Sequence, residues 1–354
     1  MKTDSFVINS RKISREAPPY IIAEISANHN GSIQLAKETI LAAKNSGVDA
    51  VKIQTYTPDT MTIDANNPDF YISDGLWKDR SLYDLYNKAH TPFEWHEELF
   101  EYSKELDITL FSTPFDETAV DLLESLNTPA YKIASFEIVD LSLIEYIAKK
   151  NRPILISTGM ASIEEINDAL DVVYSTGNDQ VALFHCISSY PAPISEANLN
   201  SLNILSETFN VEVGLSDHTH GNLASVIAVS LGASIIEKHF TLDRSHGGVD
   251  SSFSLEPQEM AELVKDTKSV SEAMGSKVFK RSKLEQSNKI FRRSLYFVND
   301  VNEGEMITKE NVRRIRPGFG LDAKYYNKII GTICNKPARR GDRVTMDHIR
   351  LDQI

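Results

Sequence analysis

Apolar runs of six or seven residues recur along the chain and alternate with segments whose apolar residues return every three or four positions. The runs are IIAEIS (21–26), AVKIQT (50–55), ITLFST (108–113), AYKIAS (130–135), PILIST (153–158), VALFHC (181–186), VEVGLSD (211–217) and SIIEKHF (234–240), eight in all. Between them the helical period is clear. Ile33, Ala36, Ile40 and Ala43 share one face, and Gly47 stands where a helix ends. Asp116 precedes Val120, Leu123 and Leu126 as a cap. Ser162 with Glu165 forms a capping box ahead of Ile166, Ala169 and Val173, and Pro257 opens a helix bearing Met260 and Val264. Nearly continuous apolar strands alternating with amphipathic helices predict a parallel sheet covered on its faces. Eight such units in about 250 residues predict a TIM (β/α)8 barrel. The alternative is an open doubly wound sheet, but no GxGxxG follows the first run.

Two segments leave the alternation. Residues 56–92 form a long insertion rich in Tyr, Asp, Asn and Pro, and Phe70, Tyr71, Trp77, Tyr83 and Tyr86 argue for a packed loop rather than disorder. Toward the C-terminus DVNEGEMITKENVR (from Asp300) repeats as PARRGDRVTMDHIR (from Pro337) at an offset of 37. Gly304 matches Gly341, Ile307 matches Val344, Thr308 matches Thr345, Val312 matches Ile349 and Arg313 matches Arg350, which predicts a small domain built from one strand–turn–strand unit used twice. Residues 276–291, SKVFKRSKLEQSNKIF, are charged and poor in core residues and read as a linker.

Composition narrows the class. Acidic residues outnumber basic ones by 50 to 37, for a net charge of −13, which sets the chain against nucleic-acid binding. Two cysteines, Cys186 and Cys334, fit a reducing, cytoplasmic setting rather than a disulfide scaffold. The longest uncharged apolar stretch, Gly221 to Ile236, has 16 residues, contains Gly232 and several Ser, and reads as a helix followed by a buried strand rather than a membrane span.

In a TIM barrel the reactive groups gather at the C-terminal strand ends. Here those ends read Glu24, Lys52, Ser112 and Thr113, Lys132 and Ser135, Ser157, His185, Ser216 with Asp217 and His218, and Glu237 with Lys238 and His239. Such groups are costly to bury unpaired, so their recurrence points to one shared site. Lys52 and Lys132 lie in otherwise apolar strands. They meet either a bound anion, phosphate or carboxylate, or the carboxylates of Glu24 or Glu237. His218 and His239 end neighbouring strands and fit two ligands of one divalent cation or a hydrogen-bonded pair. His29, His220 and His246 are further loop candidates, while His90, His96 and His348 read as surface residues. Glu24 suits a general base, a water positioner or a lysine partner.

The runs IIAEISANHNGS, VKIQTY, FSTPFDETAVDLL, YKIASFE, ISTGMAS, GLSDHT, EKHFTL and IRPGFG resemble the sialic acid synthase family, whose members condense phosphoenolpyruvate with an amino-sugar aldehyde. The resemblance covers residue 20 to the end. It implies a TIM barrel with an N-terminal β-hairpin cap over 1–280, a linker over 281–291 and an antifreeze-like (SAF) domain over 292–354. SANHN, YTPDTMTID, the insertion YISDGLWKDRSLYDLYNKAHTPFEWH and HCISSYPAP resemble the branch whose acceptor is 2,4-diacetamido-2,4,6-trideoxy-L-altrose. The N-acetylneuraminate and legionaminate branches are the alternatives; a carbohydrate-binding protein with a non-catalytic barrel is an alternative of another class. Carried over residue by residue, Lys52, Thr113, Lys132, Ser135, Ser157, Ser216 and Arg316 would hold phosphoenolpyruvate. Gln54, Tyr190, Glu237 and Asp250 would face the sugar, and Glu24 would be catalytic together with His218 and His239. Those two histidines would bind a divalent metal, manganese foremost, with magnesium or cobalt as alternatives. The resemblance also implies a cytoplasmic, domain-swapped homodimer, with Arg316 reaching the partner's site and neither nucleic acid nor membrane as a partner. Ser188, where the sialate branch has Asn, has no role assigned by the resemblance.

Overall fold

Each of the eight apolar runs forms a strand, and the strands close into one parallel barrel. The structure, a computed structural model, describes residues 5–275 and 278–349. A short hairpin comes first, β1 (Phe6–Ile8) and β2 (Arg11–Ile13). The barrel strands are β3 (Tyr20–Glu24), β4 (Ala50–Thr55), β5 (Thr109–Pro114), β6 (Tyr131–Ile133), β7 (Ile154–Ser157), β8 (Val181–Cys186), β9 (Glu212–Asp217) and β10 (Ile235–His239). Strand β10 pairs with β3, which excludes the open doubly wound sheet. Among these strand residues only Gln54 is half-buried; the rest are buried.

Strand geometry then sorts the side chains by parity. Ile21, Ala23, Val51, Ile53, Leu110, Ile154, Ile156, Leu183, Val213 and Ile236 join the helices in an outer core. Tyr20, Ile22, Ala50, Phe111, Leu155, Ala182, Phe184 and Ile235 form an inner core with Phe6, Ile8 and Ile13 of the hairpin. The hairpin therefore plugs the N-terminal end of the barrel with apolar side chains, and the polar residues of the inward set lie at the C-terminal end.

The predicted helix ends are in place. Asp116 accepts from the Thr118 and Ala119 N–H groups, Ser162 and Glu165 cap each other reciprocally, and Pro257 begins the helix Pro257–Met274. The Gly221–Ile236 stretch is the helix Leu223–Ser230 followed by the start of β10. No helix among the described residues is long and apolar enough to cross a membrane. The 56–92 insertion is folded. It contains the helices Pro58–Met61 and Leu82–Ala89 and a turn closed by Tyr71 pairing with Ser81. Tyr56 packs edge-on against Tyr86 and Phe115 at its base.

The chain divides into two units at Gly275–Ser276. The division thus falls before residue 280, and the stretch expected as a linker over 281–291 is structured. Ser282 caps the helix Lys283–Ser287, a 3-10 turn follows over Asn288–Phe291, and the Gly318 N–H donates to the Ile290 carbonyl at 2.8 Å. Its side chains are exposed, as its composition predicts, but its backbone belongs to the second unit.

Within that unit the 37-residue repeat is a pseudo-two-fold. Val301 and Ala338 exchange both backbone hydrogen bonds at 2.8 Å. The Gly304 N–H donates to Cys334 O while that of its equivalent Gly341 donates to Phe297 O, again at 2.8 Å. Each copy also pairs within itself, β11 (Ser294–Phe297) with β12 (Val312–Ile315) and Cys334 with Ile349. The two copies are therefore interlocked rather than two separate hairpins. The matched Arg350 lies outside the described residues.

Candidate active site

The inward-facing polar groups meet at the C-terminal mouth of the barrel. Register brings them together: Glu24 is the Cα partner of both Lys52 and His239, Gln54 pairs with Thr113, and Glu237 pairs with Ser216. Lys52 contacts the Glu24 carboxylate and lies 3.7 Å from Glu237, while donating to Thr113 Oγ1 at 3.1 Å. Lys132 lies 3.8 Å from the same Glu237 oxygen and donates to Ser157 Oγ at 2.5 Å. Ser216 Oγ donates to Glu237 at 3.1 Å, and Ser26 N–H donates to Glu24 at 2.7 Å. One connected network thus joins seven of the expected residues, and both carboxylate partners open to the lysines in the sequence are engaged.

Burial sets the charges. It depresses the pKa of both lysines, but Glu237 and Glu24 outweigh it for Lys52, which stays above the ordinary lysine value. For Lys132 burial prevails over Glu237, and its pKa falls. Burial would raise Glu237, yet Lys132 and Lys52 hold it below the ordinary carboxylate value. The outcome is two lysines against two carboxylates, Glu237 shared between them and Glu24 held by Lys52, so an incoming anion competes with these carboxylates for the lysines.

His218 and His239 stand with ring centroids 5.4 Å apart. His218 Nδ1 lies 2.9 Å from Ile187 O, which assigns the proton to Nδ1 and leaves Nε2 a free lone pair. Burial lowers the pKa of both rings, and neighbouring His218 and Lys52 push His239 further down. His239 Nδ1 is buried without a hydrogen-bond partner. Asp250 Oδ2 lies 3.5 Å from it. Burial and nearby Glu24 raise Asp250 to about 8, which disfavours an ionised carboxylate beside this ring. Two neutral imidazoles with an orphaned nitrogen suit a divalent cation. Among the described residues no group of three or more His, Cys, Asp or Glu converges as a ready-made metal shell.

Ser135 hydrogen-bonds Cys186 Sγ at 3.0 Å beside Gly159. A Cβ on Gly159 would lie 2.3 Å from Ser188 Oγ and 2.9 Å from Ser135 Oγ, so these groups converge on space only a glycine leaves open. Tyr190 packs against His218 with ring centroids 4.4 Å apart and the planes tilted by 46°, and lies near Phe253. Gln54 lines the same mouth from β4. Arg316 belongs to the second unit, where its side chain is exposed.

Parity removes four strand-end groups from the site. Ser112, His185, Asp217 and Lys238 point outward. Lys238 donates to Asp217 at 2.9 Å, and Asp217 also accepts from Ser225 and Thr219. This buried pair locks β9 to β10 behind the two histidines. His185 Nε2–H donates to Ala197 O at 2.7 Å.

The loop histidines also differ from expectation. His29 is buried against Trp95, away from the pair, while His220 and His246 are exposed. His96, expected on the surface, is fully buried and bonds Thr55 at 2.7 Å; His348 is buried and accepts from Thr345 N–H, and His90 is half-buried beside Tyr56. Each anchors a turn or helix start that a two-residue or helical period does not report. Sequence reasoning missed Glu137. It sits in a 3-10 turn after β6, with Oε2 buried and unpartnered and its pKa raised to about 7 by burial, partly offset by Lys132. The only signal was its place in the run YKIASFE.

Comparison with known proteins agrees with this architecture. The NeuB family model matches residues 39–279 and the SAF domain model matches residues 292–350, so the chain belongs to the NeuB family. It is 44% identical over 333 residues to a pseudaminic acid synthase of Helicobacter pylori, covering 94% of this chain and 98% of that one. It is 40% identical over 320 residues to an N,N'-diacetyllegionaminic acid synthase of Campylobacter jejuni, covering 89% and 96%. Among solved structures, an N-acetylneuraminic acid (sialic acid) synthetase from Leptospira borgpetersenii in complex with citrate superposes with a TM-score of 0.73 at 30% identity, covering 81% of this chain and 95% of that one.

Proposed function

We propose that this enzyme condenses phosphoenolpyruvate with 2,4-diacetamido-2,4,6-trideoxy-L-altrose to give pseudaminic acid and phosphate. The observation that carries the reading is the linked set Glu24, Lys52, Glu237 and Lys132 at the barrel mouth, in a chain 44% identical to a pseudaminic acid synthase. Lys52, Lys132 and the Thr113, Ser135, Ser157 and Ser216 hydroxyls hold the phosphate and carboxylate of phosphoenolpyruvate. Gln54, Tyr190, Glu237 and Asp250 face the sugar. Glu137, beside Lys132, joins that polar set.

Carbon 3 of phosphoenolpyruvate attacks the acceptor aldehyde carbon, forming the C–C bond as the carbonyl π pair moves onto oxygen, which takes up a proton to become a hydroxyl, while positive charge develops at carbon 2. Water adds there, Glu24 takes its proton, and the tetrahedral intermediate loses phosphate by C–O cleavage. Lys52 and Lys132 offset charge on the departing group. A divalent cation held by His218 and His239, manganese, magnesium or cobalt, would supply Lewis-acid polarisation of the aldehyde. The free lone pair of His218 and the orphaned nitrogen of His239 support that assignment. His218→Ala is expected to fold yet lose bound manganese by elemental analysis; unchanged metal content removes His218 from the shell.

The partner copy completes the site in this reading. The barrel mouth is rimmed by exposed apolar residues, Phe136, Met160, Ile194 and Leu223, and Arg316 is exposed on the basic second unit. These support a swapped homodimer in which one copy's Arg316 serves the other's barrel. Both cysteines are free thiols, in keeping with a cytoplasmic enzyme.

Phosphate release with purified protein tests the reaction. The trideoxy-altrose acceptor should turn over far faster than N-acetylmannosamine or the legionaminate precursor. Preference for either of those moves the assignment to that branch, and no release with any acceptor removes it.

A further inference from the structure

The 56–92 insertion carries a strap across the barrel mouth. Tyr71 pairs with Ser81, and Ile72 and Arg80 are joined backbone to backbone at 3.0 Å. From 71 to 80 every residue is exposed except Ile72 and Trp77. Trp77 is turned back toward the barrel. Its Nε1–H donates to Val249 O at 3.3 Å, and its ring lies 5.8 Å from Tyr190.

The landing point is firmly held. Val249 N–H donates to Ala27 O at 3.0 Å, and a Cβ on the preceding Gly248 would lie 2.6 Å from Asn28 Oδ1, so this loop is pressed onto the first strand end. Val249 directly precedes Asp250. Trp77 therefore ties the exposed strap to the residue beside one of the sugar-facing carboxyls, and to the tyrosine packed against His218.

The wall is mostly apolar, the Tyr190 hydroxyl being its polar group. The one polar atom of the indole is already bonded to Val249, so the ring offers only its faces. Phe253, 5.4 Å from Tyr190, continues the surface and is itself buried. A hydroxyl seated against the indole face loses hydrogen bonds to water with none in return, whereas a methyl group loses nothing.

We propose that Trp77 is the specificity-determining residue for the acceptor's far end, its indole forming, beyond Tyr190, the wall that takes a methyl at carbon 6 in preference to a hydroxymethyl. This rests on the synthase reading above, in which carbon 1 reacts at the His218 and His239 end of the mouth and the chain's other end lies toward the strap.

The test compares two acceptors that differ only at carbon 6, the trideoxy-altrose sugar and its 6-hydroxy counterpart. The wild type should favour the 6-deoxy sugar in kcat/KM by up to about a hundredfold, the range an apolar pocket achieves against an added hydroxyl. Trp77→Gln should cut that ratio at least tenfold, with KM for phosphoenolpyruvate unchanged. Trp77→Phe, which keeps an apolar face and loses the bond to Val249, should keep most of the ratio while raising the acceptor KM. An unchanged ratio in Trp77→Gln, or equal losses on both acceptors, overturns the proposal by making the strap a structural element. A wild type that uses N-acetylmannosamine and leaves both altrose sugars untouched overturns the underlying reading and this assignment together.

Discussion

Residues 1–275 hold 41 acidic and 19 basic side chains, a net −22, while residues 276–354 hold 9 acidic and 18 basic, a net +9. The barrel takes part of its charge inside. Glu24, Lys52, Lys132, Asp217, Glu237 and Lys238 are all buried, and each has an ionic partner. The second unit buries an apolar cluster of Leu295, Phe297, Val301, Ile307, Val312 and Val344, and the arginines among its described residues stay outside. Several lie over aromatic rings, Arg314 on Tyr326 and Arg343 on Phe319. Buried charge is expensive unless paired, so the barrel spends its fold on fixing a reactive geometry. A small domain has too little core to do that, and its charge is available to another surface.

The largest test of this contrast joins the two regions. Glu24→Ala and Arg316→Ala should each reduce activity to background. A purified heterodimer of the two should recover about half of wild-type activity, because an isologous swapped dimer then contains one intact site. A heterodimer no better than either parent removes the swap.

Next is stability. Lys238→Met leaves Asp217 buried and unpaired and should cost ~3–5 kcal/mol in denaturant unfolding. Lys336→Met in the second unit, whose partner Asp347 is exposed, should cost under about 1 kcal/mol. Equal costs would erase the contrast between inside and outside charge.

Glu137 provides a pH signature. Its pKa is raised from 4.5 to about 7 in the folded barrel, so the native state is favoured below about 4.5 and loses that advantage as pH rises through about 7. The loss should be about 3 kcal/mol, and Glu137→Gln should abolish it. A flat difference between wild type and variant from pH 4 to 8 would place the carboxyl in water.

Lys52→Ala and Lys132→Ala should each cost roughly 1.5–3 kcal/mol in kcat/KM for phosphoenolpyruvate. Lys324→Ala, over Tyr325 in the second unit, should change nothing. Unchanged kinetics in the barrel variants would leave the lysines as internal ion pairs. The smallest effect tests the repeat. Gly304 and Gly341 have φ of 83° and 98° with no atom within 4 Å of an added Cβ. Gly304→Ala and Gly341→Ala should therefore each cost about 1 kcal/mol of backbone strain, equally if the pseudo-symmetry is energetic as well as geometric.

The linear order of residues determined a good deal by itself. The eight strands, the caps at Asp116 and Ser162, the repeat and the gathering of polar strand ends all follow from local periods and spacing, because strand and helix periodicity act over a few residues. The sialic acid synthase resemblance was carried by short runs such as GLSDHT and EKHFTL, which survive intact in one dimension. What only the tertiary structure decided is which groups meet. Closure of β10 onto β3 brings His239 beside Glu24, which lies 215 positions earlier in the chain. The inward parity that keeps Glu237 and His239 in the site and turns Lys238 out of it required knowing where the barrel axis lies. The burial of His96 and the return of Trp77 to Val249 come from loops, where no period exists to read and only contacts distant in sequence select the conformation.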